Sequence, residues 1–190
     1  VLKPSEDAPL TCLRLAQLFV EAGGPAGVFN VVNGVGEIAG KALGLHPDVD
    51  KISFTGSTAV GKLMLQYAGQ SNMKRVSLET GGKSPQIFLN DLPDLEAAVT
   101  SGIYGIYSNQ GEVCNAGSRL IVERGIYADF VELFAEKGAA EFTVGDPLDP
   151  ATMMGPLVTR EAQQRVLGFI DSGKTEGAKL RARGGGEGRG

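Results

Sequence analysis

The chain has 190 residues, 42% of them hydrophobic, which is enough for one domain or for one domain and part of a second. The net charge of −4 argues against a surface that binds nucleic acid or an anionic membrane. Two cysteines and one histidine are too few for a disulfide framework or a zinc site, and no apolar run approaches the ~18 residues of a membrane span. We therefore expect a cytoplasmic protein, in a reducing compartment, with no metal and with neither nucleic acid nor a membrane as a partner.

Strands and helices are predicted to alternate through the first half of the chain. Helical periodicity begins near Leu10, with Ser5 or Asp7 as the candidate N-cap, and it stops at Gly23. This alternation is typical of parallel β–α units packed in layers, so we predict an α/β fold. The predicted strands are 1–3, 28–32, 51–54, 75–79 and 85–89, and the predicted helices are 10–22, 37–45 and 58–68.

The sequence pattern changes after Gly81 and Gly82, where we predict a domain boundary. The following elements are helices over 93–107, 127–140 and 159–171, a strand at 120–122 and the start of another at 178–180. Residues 181–190 are a low-complexity segment that cannot bury a core, so a disordered tail is predicted there. The chain has no initiator methionine and begins within a pattern, which indicates a fragment.

Two glycine-containing loops precede predicted helices and are candidate phosphate-binding loops. In 34–40, a G-x-G pair is followed by a third glycine that comes one residue late for the dinucleotide-binding fingerprint. Residues 56–62 follow the Walker A pattern, but Leu63 replaces the hydroxyl residue that would bind Mg²⁺. The helix that starts after Ser57 still offers free N–H groups to a pyrophosphate without a metal. The alternative is that Gly56 only makes a tight turn.

A polar, glycine-containing loop at 109–119 carries Cys114. The loop lies between a weakly amphipathic segment and a β-like run, and catalytic groups are commonly displayed at such element ends. Gly111 and Gly117 allow backbone N–H groups to approach the sulfur or a substrate oxygen. Because a thiolate is a good nucleophile, Cys114 is a candidate nucleophile; the alternative is an ordinary half-buried cysteine. Cys12, by contrast, lies in the apolar stripe of the first helix and is predicted to pack.

Glu79 ends a predicted strand, at the sheet edge where ligands gather in α/β folds. A partly desolvated carboxylate at that position is suited to act as a general base. The alternative is an ordinary salt bridge with Arg75 or Lys83. Spacing along the chain does not connect Glu79 with Cys114, so their joint action depends on the fold.

Four motifs resemble, in the same order along the chain, those of the aldehyde dehydrogenase superfamily. Residues 78–85 (LETGGKSP) and 109–119 (NQGEVCNAGSR) resemble its two active-site signatures. Residues 3–6 (KPSE) are similar to its adenosine-ribose motif, and 54–58 (FTGST) with Gly61 are similar to its cofactor phosphate loop. The resemblance extends from residue 1 to about residue 180.

The resemblance implies a Rossmann-like, layered cofactor domain followed by the start of an α/β catalytic domain. Residues 1–81 would be the C-terminal part of the first and 82–180 the N-terminal part of the second. Cys114 is implied as the nucleophile, Glu79 as the general base, and Ser57 as the ligand of the pyrophosphate. The implied cofactor-binding residues are Lys3, Ser5, Glu6, Gly36, Gly40, Phe54, Thr55, Gly56, Ser57, Val60, Gly61, Thr80 and Gly81.

The implied reaction is oxidation of an aldehyde to a carboxylic acid through a cysteine thiohemiacetal and thioester. NAD is implied rather than NADP, since Glu6 would lie beside the ribose 2′-hydroxyl and repel a 2′-phosphate. Thr80 stands where the family usually has leucine, and Thr80 and Glu112-Val113 are similar to members that act on amino-aldehydes. The implied substrate is therefore an amino-aldehyde or another aliphatic aldehyde, and the implied full-length enzyme is a homodimer or homotetramer. The alternative is a truncated, non-catalytic fragment that binds nucleotide.

Overall fold

The computed structural model describes residues 1–182 and divides the chain into two compact units, Val1–Gly81 and Gly82–Gly190. Each unit combines helices with a two-stranded parallel sheet, so the predicted α/β class is confirmed. The predicted disorder of the tail falls mostly on residues 183–190, which lie outside the described residues. No helix in the described part of the chain is both long and apolar enough to cross a membrane.

The first unit is built around two parallel strands and the helix that connects them. Strand β1 pairs with β2 from Lys51 opposite Arg75 to Gly56 opposite Thr80, so both strands end at the same edge. Helix α3 makes the crossover between them, and its Ser57 N-cap follows directly on β1. The elements are α1 (Leu10–Glu21), a π-helical turn (Gly36–Gly40), α2 (Lys41–Leu45), β1 (Lys51–Gly56), α3 (Thr58–Gln70) and β2 (Arg75–Thr80).

The strands predicted at 1–3 and 28–32 are wrong, because only an isolated parallel bridge between Leu2 and Val31 forms there. The amide of Leu2 donates to the carbonyl of Asn30 at 2.8 Å, and the amide of Val32 donates to the carbonyl of Leu2 at 2.9 Å. Pro4 offers no N–H to extend the ladder on one side. Gly27, with φ of +80°, turns the chain on the other side.

The N-cap predicted for α1 is also wrong, and the apolar residues of its helical period are only partly covered. Pro9 occupies the N-cap position without a side-chain cap, while the Ser5 hydroxyl accepts from the amide of Asp7 at 3.3 Å in a local turn. Leu10 and Val20 are 76% and 63% exposed. The half-buried positions of the helix are Cys12, Leu13, Ala16 and Phe19.

Glycines bring α3 close to its neighbours in the first unit. A Cβ on Gly61 would lie 3.3 Å from a methyl carbon of Thr80, and a Cβ on Gly44 would lie 2.8 Å from the ring of Tyr67. Both glycines are buried, so α3 packs directly on β2 and α2. A larger residue at Gly61 would push the helix start away from the strand end.

The second unit pairs β3 with β4 in parallel, from Pro85 opposite Arg119 to Phe88 opposite Val122. Asp94 caps α4 by accepting from the amide of Ala97, and Thr159 caps α6 by accepting from the amide of Ala162, at the predicted start of that helix. The strand predicted at 178–180 is wrong, since no neighbouring strand pairs with it among the described residues. The elements are β3 (Pro85–Phe88), α4 (Leu95–Tyr107), a 3₁₀ turn (Ser108–Gly111), β4 (Arg119–Val122), α5 (Tyr127–Glu141) and α6 (Arg160–Thr175).

The core of the second unit lies between β3, α4 and α5. The rings of Phe88 and Phe130 lie 4.5 Å apart, and Val99 and Ile103 of α4 are fully buried against the same cluster. Each fully buried side chain of this size stabilises the fold by about 1.5–3 kcal/mol. The cluster therefore fixes α4, whose C-terminal end leads into the loop of Cys114.

Candidate functional site

Lys3 holds the start of the first unit against the loop before the π-helical turn. Its ammonium group donates to the carbonyl of Gly34 at 2.9 Å and to that of Pro4 at 2.6 Å. It also lies 3.5 Å from a carboxylate oxygen of Glu6, which is 48% exposed. Lys3 and Glu6, both predicted as ribose ligands, are thus neighbours.

The Glu6 carboxylate is held in its ionised form. Hydrogen bonds from its own backbone N–H and from that of Gly36 are the main causes that lower the pKa of Glu6; desolvation opposes them, and the attraction of Lys3 adds a smaller lowering effect. The carboxylate is exposed to solvent and can accept a further hydrogen bond. It is therefore a charged acceptor at neutral pH.

Gly36 and Gly40 lie in the same corner as Lys3 and Glu6. Gly36 begins the π-helical turn, and a Cβ on Gly40 would lie 3.9 Å from the Lys3 side chain. The structure thus brings four of the predicted cofactor-binding residues together, although the sequence separates them by more than thirty positions. Gly34 belongs to the candidate loop at 34–40, but its carbonyl was not predicted to anchor Lys3.

The second predicted cofactor segment, residues 54–61, comprises the end of β1 and the start of α3. A Cβ on Gly56 would lie 2.5 Å from the Phe54 ring, so a larger residue there would push that ring aside. The Ser57 hydroxyl accepts from the amide of Val60 at 3.2 Å and begins α3. Other amides of the first helical turn have no partner within a helix, and together with the helix dipole they favour an anion.

Thr55, Thr80 and Gly81 mark the strand ends beside this helix start. Thr55 pairs with Glu79 across β1 and β2, and Gly56 pairs with Thr80. Gly81 is exposed and has open space where a Cβ would stand. The predicted residues at 54–61 and 79–81 therefore share one edge of the first unit.

Glu79 is exposed near the end of β2, on the face opposite Val76 and Leu78. Among the described residues of the first unit, no cation lies within salt-bridge distance of its carboxylate. The alternative of an ion pair with Arg75 is therefore wrong. Glu79 belongs to the first unit and Cys114 to the second.

Cys114 is exposed in a turn of the second unit, so the alternative of a half-buried cysteine is wrong. The turn is closed by the amide of Ala116, which donates to the carbonyl of Val113 at 3.0 Å. Ala116 and Gly117 are buried directly after it. Within the described residues of the second unit, nothing accepts a hydrogen bond from the amide of Cys114.

The loop enters its turn through backbone of unusual conformation. Asn109, Gln110 and Gly111 have φ of 51°, 57° and 71°, and left-handed residues other than glycine are uncommon. The Gln110 amide contacts the carbonyl of Pro156 at 3.5 Å. A left-handed segment of three residues, two of them not glycine, therefore lies three to five residues before the thiol.

Sequence reasoning also missed Gln86 of β3. Its side-chain amide nitrogen donates to the carbonyl of Gly102 at 3.1 Å and to that of Gly117 at 2.9 Å. The available signal was a single polar side chain in the apolar run of β3. Its partners lie 16 and 31 positions away, so their identity could not be read from the pattern.

The second unit also contains an apolar cavity of about 560 Å³, which was not predicted. Cys114 is not among its lining residues, which belong to α4, β4, α5 and the segments around Met154 and Leu180. The part of the chain that the structure describes has no group of three His, Cys, Asp or Glu side chains able to hold a metal ion.

Comparison with known families and proteins gives a consistent set of matches. A family model described as "Aldehyde dehydrogenase family" matches residues 1–190. The chain is 50% identical over 185 residues to "Aldehyde dehydrogenase, cytosolic 1" of Mus musculus, and 53% identical over 180 residues to "Aldehyde dehydrogenase" of Enchytraeus buchholzi. These matches cover 97% and 95% of this chain but 36% of each relative, so the chain spans about a third of their length.

Solved structures give the same result. The chain is 56% identical, with a TM-score of 0.88, to a gamma-glutamyl-gamma-aminobutyraldehyde dehydrogenase from Burkholderia cenocepacia J2315. That match covers 92% of this chain and 35% of the other. The chain is also 54% identical, with a TM-score of 0.94, to an indole-3-acetaldehyde dehydrogenase complexed with NAD⁺. That match covers 97% of this chain and 37% of the other.

Proposed function

The chain belongs to the aldehyde dehydrogenase family, and from this premise we propose that the protein oxidises an aldehyde to a carboxylic acid with NAD. The observation that carries the proposal is the exposed Cys114, displayed on a turn whose following residues are buried. An exposed thiol on a firmly held loop is suited to attack a small substrate.

Four residues of the first unit support NAD as the cofactor. Lys3 and Glu6 are adjacent polar groups that can bind ribose hydroxyls, and Gly36 and Gly40 leave room for a flat ring beside them. The start of α3 at Ser57 would hold the pyrophosphate through backbone N–H groups. Bound NAD would supply the hydride acceptor for the oxidation. The relative solved with NAD⁺ supports this assignment.

Cys114 is proposed as the nucleophile. Its thiolate attacks the aldehyde carbon, and a carbon–sulfur bond forms while the carbonyl oxygen becomes an oxyanion. The amide of Cys114, which has no acceptor in the described second unit, can donate to that oxyanion. Loss of the hydride then leaves a thioester on the same sulfur.

Glu79 is proposed as the general base of the second half of the reaction. Its exposed carboxylate takes a proton from water, which attacks the thioester carbon and releases the carboxylic acid and the Cys114 thiolate. No cation within the first unit neutralises Glu79, so the carboxylate remains available as a proton acceptor.

We further propose that the substrate is an ω-amino-aldehyde or a γ-glutamyl-aminoaldehyde. Glu112 is exposed two residues before Cys114, where a carboxylate would attract the distal ammonium of such a substrate. The similarity to the gamma-glutamyl-gamma-aminobutyraldehyde dehydrogenase supports this choice. The similarity to an indole-3-acetaldehyde dehydrogenase provides the competing substrate, an aromatic aldehyde.

The active enzyme would be a cytoplasmic homodimer or homotetramer, and a "cytosolic" relative supports that location.

The test combines cofactor titration with a burst assay. The purified chain is titrated with NAD and NADP, and it is then mixed rapidly with γ-aminobutyraldehyde or indole-3-acetaldehyde while NADH is recorded. NAD binding with a burst of about one NADH per Cys114 supports the proposal. NAD binding without any burst from either aldehyde would favour the alternative of a non-catalytic nucleotide-binding chain.

A further inference from the structure

We infer that Gln86 is a positioning residue for the Cys114 loop; the inference rests on the proposed role of Cys114 as nucleophile. Gln86 lies in β3, opposite Leu120 of β4 in the parallel register. Its side chain reaches α4 on one side and the end of the cysteine loop on the other. It therefore joins three segments at the base of the loop.

The hydrogen bonds of Gln86 use both donors of its amide group. One N–H is directed to the carbonyl of Gly102 in α4, and the other is directed to the carbonyl of Gly117, three residues after Cys114. A side-chain NH₂ group has two hydrogens, so it satisfies both carbonyls at once. An unprotonated oxygen or a methyl group at this position could satisfy neither.

Steric packing fixes the same side chain. A Cβ on Gly105 would lie 2.7 Å from the Gln86 amide oxygen, and a Cβ on Gly117 would overlap its amide nitrogen. The amide of Gly117 donates to the carbonyl of Gly105 at 2.9 Å, so the two glycine backbones meet directly. The Gln86 amide fills the space that side chains would otherwise occupy on α4 and on the loop.

The consequence is a fixed base beneath an exposed thiol. Gly117 is buried and held by two hydrogen bonds, while Cys114 stands in the turn above it. A Cβ on Gly82 would lie 3.2 Å from the carbonyl oxygen of Cys114. The turn of Cys114 therefore packs against the segment that precedes β3. Movement of Gly117 would shift the thiol and its amide, and nucleophilic attack is sensitive to displacements of about 1 Å.

Two variants of Gln86 separate hydrogen bonding from packing. Gln86→Met keeps the length and approximate volume of the side chain but removes both donors. Gln86→Glu places a carboxyl against two carbonyl oxygens, so it can donate only while it is protonated. Gln164→Met is the matched control, because Gln164 is exposed on α6.

The first measurement is the rate constant of the NADH burst. Gln86→Met should lower it on the order of tenfold to a hundredfold, with NAD affinity unchanged because the cofactor residues lie in the other unit. In Gln86→Glu the burst rate constant should come closer to that of the parent as the pH falls and the introduced carboxyl becomes protonated. Gln164→Met should match the parent. Equal burst rates for Gln86→Met and the control would overturn the inference.

The second measurement does not depend on catalysis. Amide hydrogen exchange at Gly117 should be at least about tenfold faster in Gln86→Met than in the parent and the control, because the loop base opens more often. Unchanged exchange at Gly117 would overturn the inference. If the parent gives no burst, the proposed function fails, and exchange at Gly117 still decides whether Gln86 holds the loop.

Discussion

The ammonium group of Lys74 lies 2.6 Å from the carbonyl oxygen of Gly44, and this buried contact ties the end of α2 to the segment before β2. Lys74 is 6% exposed and also donates to the Ser71 hydroxyl at 2.6 Å. Ser71 in turn donates to the carbonyl of Tyr67 at 2.8 Å, near the C-terminal end of α3. A single cation therefore satisfies groups at the C-terminal ends of two helices, where positive charge is favourable.

The first prediction concerns the stability of the first unit. Lys74→Met keeps the aliphatic stem but removes the shorter of two hydrogen bonds to the Gly44 carbonyl, leaving only the Ser71 hydroxyl at 3.4 Å, so the free energy of unfolding should fall by about 1–3 kcal/mol. Chemical denaturation followed by circular dichroism measures the change. Lys62→Met, on the exposed side of α3, is the control and should change stability by less than about 0.5 kcal/mol. Equal stability of the two variants would contradict the structural role of Lys74.

The second prediction concerns the cap of α3. Ser57→Ala removes the acceptor for the amide of Val60, which should cost about 1 kcal/mol of stability. It should also weaken NAD binding, because the first turn of the helix loses its order. Thr159→Ala removes an equivalent cap from α6 in the second unit. Calorimetric titration should show weaker NAD binding only for Ser57→Ala; equal binding by both variants would exclude Ser57 from the cofactor site.

The third prediction concerns cofactor choice at Glu6. Glu6→Gln removes a negative charge from the proposed 2′-hydroxyl site, so the preference for NAD over NADP should narrow by about tenfold or more. The lowered pKa of Glu6 means that the parent keeps its carboxylate, and hence its preference for NAD, at neutral pH and above the ordinary pKa of a glutamate. The preference for NAD over NADP should be lost as the pH falls through the lowered pKa of Glu6. Equal affinity of the parent for both cofactors at neutral pH would contradict this role.

The fourth prediction separates the two halves of the proposed reaction. Glu79→Gln should mainly slow hydrolysis of the thioester, so a stoichiometric NADH burst persists while steady-state turnover falls by 10²-fold or more, on the order expected for loss of a general base. Rapid mixing and steady-state assays of the same preparation measure the two quantities. A burst that slows in parallel with turnover would show instead that Glu79 also deprotonates the thiol.

Local sequence signals predicted the elements that depend on local chemistry. Helix α3 and strands β1 and β2 were predicted within about two residues, because Ser57 is a strong N-cap and the strands are short apolar runs. The helical period of α1 did not show which of its apolar residues are covered, since apolar residues lie on both sides of the helix. Leu10 satisfies the helical period but is exposed.

The same limit applies to the candidate site. The polar and glycine residues around Cys114 indicated a displayed loop but left a half-buried cysteine as the alternative, and the contacts that hold this loop join distant parts of the sequence. Lys3 reaches Gly34 across 31 positions, and Gln86 reaches Gly117 across another 31. Such contacts depend on chain crossovers, and no spacing within a single motif encodes them.

The central claim is that Cys114, and not Cys12, is the nucleophile, and the NADH burst tests it most directly. Cys12 is half-buried in α1, whereas Cys114 is exposed. Rapid mixing of the parent, Cys114→Ser and Cys12→Ala with NAD and aldehyde should give a full burst for the parent and for Cys12→Ala. Cys114→Ser should give none, because a serine hydroxyl without a dedicated base is a poor nucleophile. A burst that disappears in Cys12→Ala and persists in Cys114→Ser would contradict the account.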